Sequence, residues 1–525
     1  MWKNEVTVRS NMIFLLLIIF FWIGAFSKGY FIETAFFSLN ALLYIGFIVN
    51  LALSRAFIIS KIHIVILLFV AGYWVSVLFA VDVEQAVLEA GRVSGLLPLS
   101  WMIVLLPKDK LTGLYKMWPS IGASTVIVGI LFGMERNGRL ESTFYYANAL
   151  ALLLLVSIII CILLFLQERR SLYMLLLTIN AVGLLLTFSR SVWVLWLVMV
   201  CVMVVWLFEK RKRSAWLYIG LAHLCSLGLA MLIKGDWLFF WQRASTIQSN
   251  TSELQIRLVY WKASLGMIRD YWWGGTGGGG WNVLVHLYRS QDYYVKFVHN
   301  HYVQIALDIG VFGLAIFIVW LVIFYSTAIQ RFRHIGAEES SIWYKGILLL
   351  VTTMLLHAGF DFDLTYPFLL GMLVCLTVPY GGKLFKLHVP NLALGMILPI
   401  AAGIICLWGW LAIGYGYHQA GTAYVEQGRY TEAQQSFARA EQMLPWSSSV
   451  LYGSAKGYVH QGNITGDTAY YQLAEEKLQL AHAMVPEQTL YTDLLEQIQT
   501  SARSMDTLKA SNPANHPCLA SSHAE

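Results

Sequence analysis

Thirteen apolar runs separated by short charged hinges constrain the fold of this 525-residue chain more than any other feature. The hydrocarbon core of a bilayer is about 30 Å thick, and a helix needs roughly 20 apolar residues to cross it. The runs cover residues 11–27, 35–53, 63–80, 93–106, 118–134, 146–166, 172–188, 192–208, 215–233, 302–329, 343–357, 366–380 and 393–415. The fourth, eleventh and twelfth are short. We therefore predict an all-α polytopic membrane protein with about 12–13 transmembrane helices.

Composition excludes an ordinary soluble domain and a nucleic-acid-binding protein. Charged residues make up 13% of the chain, whereas soluble proteins carry about 25%. The net charge of +6 comes from basic residues in short hinges rather than from one basic patch, so nucleic acid is not an expected partner. Five of the six cysteines lie in apolar runs, and no disulfide framework is predicted.

Lysine and arginine fall on alternate hinges, which the positive-inside rule assigns to the cytoplasm. Examples are the hinge with Arg55 and Lys61 and the hinge at 210–213, whereas the intervening hinge at 82–89 has no basic residue. We therefore predict a cytoplasmic N-terminus. The same rule predicts that the long loop 234–301 and everything after residue 415 are extracytoplasmic.

The polar C-terminal part, residues 416–500, has small and aromatic residues at spacings that resemble a tetratricopeptide repeat (TPR). One copy has Gly421, Tyr424, Gly428, Tyr430, Ala433, Phe437, Ala440 and Pro445, and a weaker copy has Gly462, Ala474, Leu478, Ala481 and Pro486. Because three or more repeats are usually needed for a stable stack, we expect this domain to lean on the membrane part (1–415) or on a protein partner. An amphipathic helical tail with accidental small residues is the alternative. Residues 501–525 are predicted to be disordered.

The stretch Tyr271–Gly313 is the one long polar interruption of the apolar pattern. It starts with a glycine cluster (274–280) and ends in His299-Asn300-His301, directly before an apolar run. No Lys-Ser/Thr follows the glycines, so they are not a nucleotide-binding loop but a flexible or closely packed turn. Polar residues at a membrane surface are costly to place there unless they have a function.

Three arginines and these histidines are predicted on the same outer face. They are Arg139, in the segment before the sixth run, Arg190, in a tight Ser-Arg-Ser turn, and Arg257, on a helical segment of the long loop. Guanidinium offers a planar fork of donors that suits phosphate oxygens, and a neutral histidine can accept a proton from an attacking hydroxyl. The set indicates transfer from a diphosphate-activated donor.

Each of these residues has a plainer interpretation. Arg139 is also explained by an arginine reaching the lipid headgroups, and Arg257 by a solvated helix residue. Arg190 is harder to explain without a function, since a lone charge in so tight a turn would be wasteful. His299 or His301 alone could be a histidine satisfied at the interface. No cysteine or carboxylate cluster with ligand spacing accompanies the histidines, so no metal site is predicted.

The spacing His299-Asn300, nine residues, Gly310, two residues, Gly313 resembles the signature of the O-antigen ligase / O-antigen polymerase superfamily. The similarity extends over roughly residues 60–380. It also includes the following positions: Arg139, Phe144, Asn148, Ala149, Ser189, Arg190, Arg257, His357 and Asp361.

The resemblance implies a metal-independent and cofactor-independent membrane glycosyltransferase in the plasma (inner) membrane of a bacterium. Such an enzyme takes a glycan from an undecaprenyl-diphosphate carrier on the outer face and passes it to an acceptor. It implies that Arg190 and Arg257 hold the diphosphate, that His299 acts as the base or orients the acceptor, and that Asn300 braces the turn. Further candidate substrate-binding residues are Arg139, Asn300, His301, His357 and Asp361.

We predict a ligase-like transfer to a lipid or a cell-surface protein, with a protein partner for the TPR-like tail. A polymerase of lipid-linked repeat units is the alternative within the class. A transporter or flippase of lipid-linked glycan is the alternative from another class, but the chain has no visible internal symmetry of the kind that transporters show. A membrane anchor for a docking domain would leave the arginines and His299 unexplained.

Overall fold

The computed structural model describes residues 2–208, 213–235, 238, 251–291, 293, 295–334 and 340–511. Parts of the predicted loop (236–237, 239–250, 292 and 294) and of the predicted tail (512–525) lie outside them. The described chain is almost entirely helical and forms two compact units, Met1–Gly409 and Trp410–Glu525.

The helices of the first unit follow one another along the whole membrane part of the chain. They are α1 Trp2–Phe26, α2 Glu33–Ser54, α3 Lys61–Ser76, α4 Val83–Ser94, α5 Leu96–Val104, α6 Lys108–Leu131, α7 Ala147–Glu168, α8 Ser171–Leu186, α9 Arg190–Leu207, α10 Arg213–Lys234, α11 Thr251–Asp270, α12 Gly280–Tyr288, α13 His301–His334, α14 Ser340–Ala358 and α15 Pro367–Thr377. Two short antiparallel ladders join β1 (Ala56–Ile59) to β4 (Phe385–His388) and β2 (Glu135–Arg136) to β3 (Arg139–Leu140).

The apolar helices correspond one to one with the predicted runs. Within the described residues, ten helices of at least 18 residues are apolar enough to cross a membrane, and three shorter apolar helices accompany them, Ser171–Leu186, Ile342–Ala358 and Pro367–Tyr380. The prediction of an all-α polytopic membrane protein is confirmed.

The fourth apolar run begins earlier than its sequence indicates. The predicted hinge 82–89 is helical from Val83 onwards and mostly buried: Glu84 and Glu89 lie in α4 and are 2% and 8% exposed. Burial is tolerable for Glu89 because Arg92, one turn later, places its Nε 3.1 Å from the Glu89 carboxylate. Three of the eight residues 82–89 are acidic, so the segment does not look apolar in the sequence although the fold buries most of it.

Helix α7 lies at the centre of the first unit. Its apolar residues occupy every side of the helix, which is the pattern of a helix enclosed by others. All of its most apolar 18-residue window is buried, and α6, α8, α9 and α14 pack around it. Its N-terminal end carries Tyr146 and Asn148 into the site described below.

The glycine cluster packs against a break in α13. Gly310 has φ 72° and ψ 178°, values that essentially only glycine adopts. The freed backbone groups are satisfied by the glycine segment, since Val311 N–H donates to the Trp272 carbonyl (2.9 Å) and Thr276 N–H donates to the Leu307 carbonyl (2.7 Å). Of the two turns considered from the sequence, the structure has the closely packed one.

The second unit continues from α16 (Asn391–Glu426) into α17 (Tyr430–Met443), α18 (Ser448–Thr465), α19 (Ala469–Met484) and α20 (Thr489–Ser511). Small residues allow the close packing of these helices: a Cβ at Gly421 would lie 2.9 Å from the Phe437 ring. The proposed domain boundary at 415–416 lies within the continuous helix α16. Helix α20 extends past residue 500, where the disordered tail was predicted to begin. The TPR assignment stays a prediction.

Candidate functional site

A cavity of about 690 Å³ lies where the N-terminal ends of α7 and α9 meet the C-terminal end of α14. One part of its wall is polar and contains Arg139, Tyr146, Asn148, Ser189, Arg190, Ser191, Arg257, Tyr260, His299 and His357. The other part is apolar and contains Phe188, Val194, Leu195, Val198, Leu254, Ile256, Leu356 and Phe360. A ligand that fills this space therefore has a charged portion and an apolar portion.

Asp361 is completely buried behind the polar wall and contacts several of its residues. Its carboxylate accepts hydrogen bonds from Tyr146 Oη (2.8 and 2.9 Å) and Asn148 Nδ2 (2.5 Å). It also lies 3.2 Å from His299 Nδ1 and 3.5 Å from Arg257 Nη2. Asp361 thus fixes residues contributed by α7, α11 and the segment before α13.

These partners stabilise the negative charge of Asp361. Burial by itself raises the pKa of a carboxyl group. The hydrogen bond with His299, the positive charge of Arg257 and the charge of His357 outweigh that effect and bring the pKa of Asp361 well below its usual value. Burial and the negative charge of Asp361 raise the pKa of Tyr146. Tyr146 therefore keeps its hydroxyl proton and donates a hydrogen bond to the carboxylate. These partners therefore favour the ionised form of Asp361.

The backbone of His299 has a conformation that residues other than glycine rarely adopt. Its φ is +53°, in the left-handed region where a residue with a Cβ is strained. The following Asn300 holds the turn: its Oδ1 accepts the backbone N–H groups of Tyr302 and Val303, both at 3.1 Å, and so caps α13. With Nδ1 directed to Asp361, the other ring nitrogen of His299, Nε2, is left to face a ligand.

Arg257 reaches the cavity from α11. Its Nη1 donates to the carbonyl of Phe360 (2.5 Å), and Nη2 faces Asp361. The side chain is only 16% exposed. The interpretation of Arg257 as a solvated helix residue does not fit this position, because the guanidinium is enclosed and oriented by two fixed acceptors.

Arg139 is placed by a tight hairpin. Asn137 and Gly138, both with positive φ, form the two-residue loop between β2 and β3, the conformation that an Asn-Gly pair favours. Arg139 then donates to the Thr187 carbonyl (2.9 Å) and to Asn148 Oδ1 (2.7 Å). Asn148 in turn donates to Asp361. Arg139 is therefore tied into the site rather than extended towards lipid headgroups.

Arg190 is the first residue of α9, directly after a strained turn. Phe188 has φ +49°, and Ser189 precedes the helix with extended backbone. The start of α9 carries unsatisfied N–H groups and the positive end of the helix dipole, which favour an anion. Arg190 adds a full positive charge at the same place on the cavity wall.

A second histidine–carboxylate pair borders the cavity. His357 Nδ1 lies 2.5 Å from Asp363 Oδ2, and both side chains are buried. The other nitrogen of His357, Nε2, is 3.1 Å from Ser191 Oγ. Burial, with added repulsion from Asp361, raises the pKa of Asp363 despite the attraction of His357. Asp363 therefore retains a proton more readily than Asp361.

The structure separates two of the predicted site residues from the cavity. Asn300 acts on the backbone as a helix cap. His301 lines a different, much smaller cavity, together with Tyr73, Glu89, Arg92, Gln304 and Asp308. Its ring is buried, and its Nδ1 has no hydrogen-bond partner in the described part of the chain. The geometry brings His299 to the site but not its neighbour two residues later.

Several residues of the site had no assigned role in the sequence analysis: Tyr146, Asn148, Ser191, Tyr260 and Asp363. Asn148 was noted as part of the family resemblance, and Ser191 as part of the Ser-Arg-Ser turn. Asp363 had a usable signal, because two aspartates in a hinge poor in basic residues, directly after an apolar helix, are costly without partners. Tyr146 and Tyr260 had none.

Among the residues that the structure describes, no group of three or more His, Cys, Asp or Glu side chains is arranged to hold a metal ion. The charged ligands offered to an anion are instead guanidinium groups. The arrangement can bind a phosphorylated or diphosphorylated group and place a carboxylate-oriented histidine beside it.

Comparison with known proteins points to one family. Residues 173–318 match the family model described as O-antigen ligase. The matched range includes Arg190, Arg257 and His299, and it ends in the first part of α13 after Gly310 and Gly313. No curated protein matches the chain. The match supports the O-antigen ligase superfamily and a membrane function of the ligase or polymerase type.

Proposed function

We propose that this protein transfers a glycan from an undecaprenyl-diphosphate carrier to an acceptor on the outer face of a bacterial plasma membrane. The observation that carries the proposal is the composition of one cavity. Three arginines and a carboxylate-bound histidine share it with a wall of aliphatic side chains. A donor in which a diphosphate joins a sugar to a polyprenyl chain matches this cavity. The arginines suit the diphosphate, the aliphatic wall suits the polyprenyl chain, and the histidine can act on the acceptor that attacks the sugar.

The arginines act on the diphosphate. Planar guanidinium groups form paired hydrogen bonds with phosphate oxygens, and these strengthen as the bond to the sugar breaks and negative charge gathers on the leaving group. Arg257 is oriented by Asp361 and the Phe360 carbonyl, and Arg190 stands at a helix N-terminus. Arg257 is thus held in position before the donor binds, so its guanidinium needs little reorganisation during the reaction.

His299 acts on the acceptor. Its Nδ1 is engaged with Asp361, so Nε2 is available to take the proton of an attacking hydroxyl. The ionised Asp361 stabilises the imidazolium that forms. The acceptor oxygen bonds to the anomeric carbon, the bond from that carbon to the diphosphate oxygen breaks, and the leaving group departs with the electron pair.

The apolar wall receives the first part of the polyprenyl chain. Val194 and Val198 on α9 and Leu356 on α14 are each close to half exposed. The wall is thus continuous with helix surface that faces lipid in a polytopic membrane protein. A donor can enter from the membrane with its headgroup leading to the arginines.

The proposal is tested by glycan analysis of a strain carrying His299→Ala, with His388→Ala on the exposed strand β4 as control. Lipid-linked and acceptor-linked pools are measured in both strains. We expect full-length glycan to accumulate on the lipid while the acceptor stays bare, and His388→Ala to resemble the wild type. Single repeat units on the lipid would instead indicate a polymerase. Lipid-linked glycan trapped on the cytoplasmic face would indicate a transporter, and unchanged pools would reject the role of His299.

A further inference from the structure

The side chains of Ser191, His357 and Asp363 form a connected chain that ends at the cavity. Ser191 and His357 both line it, and Asp363 lies behind His357 with no exposed surface. Ser191 Oγ is 3.1 Å from His357 Nε2, and His357 Nδ1 is 2.5 Å from Asp363 Oδ2. The three residues come from α9, α14 and the hinge after α14, so only the tertiary fold brings them together.

This chain is separate from the Asp361–His299 pair. Asp361 Oδ1 serves His299, whereas His357 faces Asp363. Enclosing an additional histidine and a second carboxylate is expensive unless each charge is compensated. A packing role alone would be filled at lower cost by apolar side chains, since Leu356 beside His357 already belongs to the apolar wall.

We propose that Ser191, His357 and Asp363 form a proton relay that protonates the diphosphate as it leaves the sugar. This inference rests on the proposed function. Ser191 and Arg190 both line the cavity from the first turn of α9, and we therefore place the Ser191 hydroxyl beside the diphosphate rather than beside the acceptor. Ser191 is the residue that touches the substrate, and His357 and Asp363 position and charge it.

The relay moves one proton from His357 through Ser191 to the leaving diphosphate. Before reaction Asp363 Oδ2 and His357 Nδ1 share one proton, and the His357 Nε2–H donates to Ser191 Oγ, which leaves the Ser191 hydroxyl proton free to donate to a diphosphate oxygen. When the bond between the anomeric carbon and that oxygen breaks, the Ser191 proton passes to the diphosphate, and the His357 Nε2 proton passes to Ser191. The proton of the acceptor hydroxyl goes to His299. After product release, His299 loses one proton to water and His357 regains one.

The relay explains why two histidine–carboxylate pairs border one cavity. The Asp361–His299 pair has a carboxyl group of lowered pKa and takes a proton, whereas the Asp363–His357 pair holds a proton and gives it. Two titratable pairs whose surroundings push them in opposite directions are the usual arrangement of a general base and a general acid.

The test uses full-length protein reconstituted in vesicles with lipid-linked glycan and acceptor extracted from a strain that lacks this protein. Turnover at saturating donor and KM for the donor are measured for Ser191→Ala, Ser191→Thr, His357→Gln and the double variant Ser191→Ala/His357→Gln. Ser326→Ala is the control, because the Ser326 side chain is exposed on α13, does not line the cavity, and donates to the Ile323 carbonyl of its own helix.

We expect Ser191→Ala to lower turnover on the order of 100-fold with little change in KM, since a positioned general acid contributes about 10²- to 10⁴-fold. Ser191→Thr keeps a hydroxyl and should retain most of the activity. The double variant should be no slower than the slower single variant, because both changes interrupt one path. Ser326→Ala should turn over like the wild type.

Wild-type turnover in Ser191→Ala would overturn the relay, and so would losses that multiply in the double variant. Both outcomes leave the proposed function intact, whereas a wild-type protein that transfers nothing from the lipid-linked donor would reject the proposed function itself. If His357→Gln does not fold, the serine variants still decide: equal losses in Ser191→Ala and Ser191→Thr would also overturn the relay.

Discussion

Asp361 shows how one buried side chain organises a membrane site. Four side chains converge on its carboxylate, and two of them, Arg257 and His299, are residues that the sequence already marked as functional. Asp361 itself was a weaker candidate, because the sequence marks the two hinge aspartates as costly to place but does not show which partner each of them has. Its partner His299 lies 62 residues away, so no spacing rule connects them.

Three of the nine described residues other than glycine that have a positive φ border the same site. Tyr145, Phe188 and His299 have φ values of 55°, 49° and 53°, and each lies in or directly before a segment that lines the cavity. Left-handed conformations of residues with a Cβ cost on the order of 1–3 kcal/mol each and persist only where the surrounding structure enforces them. The sequence alone does not reveal these positions, since asparagine and glycine are the residue types that predict them.

The first test at the residue scale concerns the planar set of N–H donors on the Arg257 guanidinium. Arg257→Lys keeps the charge but loses the planar donors, so we expect turnover to fall by at least about tenfold, which corresponds to about 1.4 kcal/mol of transition-state stabilisation. Glycan transfer is measured in membranes with matched protein levels. Arg269→Lys on the same helix is the control, because that side chain is 83% exposed. Full activity in Arg257→Lys would remove the diphosphate role of Arg257.

Among the helices, α13 contains a break at Gly310 whose role is not evident from the sequence. Gly310 and Gly313 belong to the spacing on which the family resemblance rests. In the structure, a Cβ at Gly310 would lie 2.3 Å from the Trp273 carbonyl oxygen, and Gly313 leaves room for Ile309. The break therefore allows the segment 272–276 to dock against α13, and it sets the position from which His299 enters the cavity.

Gly310→Ala tests this element. The new methyl group meets backbone rather than a movable side chain, and alanine does not adopt φ 72° with ψ 178°. We expect a loss of several kcal/mol, measured as a lower melting temperature or loss of the monodisperse peak in detergent. Gly403→Ala in α16, where a Cβ would meet nothing within 4 Å, should be neutral or slightly stabilising, because alanine is the better helix former by about 1 kcal/mol. Equal stability of both variants would show that the break is not required.

For the whole molecule, the number of crossings decides which side of the membrane the second unit occupies. Thirteen apolar helices are present in the described chain. An odd number of crossings puts the two ends on opposite sides, and the distribution of lysine and arginine predicts that the N-terminus is cytoplasmic.

Protease treatment of intact spheroplasts tests this topology. If all thirteen helices cross, protease added outside should remove residues beyond about 430, the region that follows α16. A cytoplasmic marker protein must stay intact in the same sample, and detergent must expose both. A protected C-terminal unit would mean that one apolar helix does not cross, with the three short ones, Ser171–Leu186, Ile342–Ala358 and Pro367–Tyr380, as the first to examine.

The sequence by itself determined the class of the protein and the types of residue in its site. Apolar length and helical periodicity are local properties, so the thirteen runs were found without any knowledge of packing, and arginine and histidine stand out in a lipid environment because burying them is costly. Tertiary structure alone decided that His299 and not His301 faces the cavity, that Arg139 joins the site through Asn148, and that Asp361 and Asp363 each serve a different histidine. These depend on contacts between helices far apart in the chain, and in a membrane protein such contacts arise from packing and hydrogen bonding, which a pattern of apolar residues does not encode.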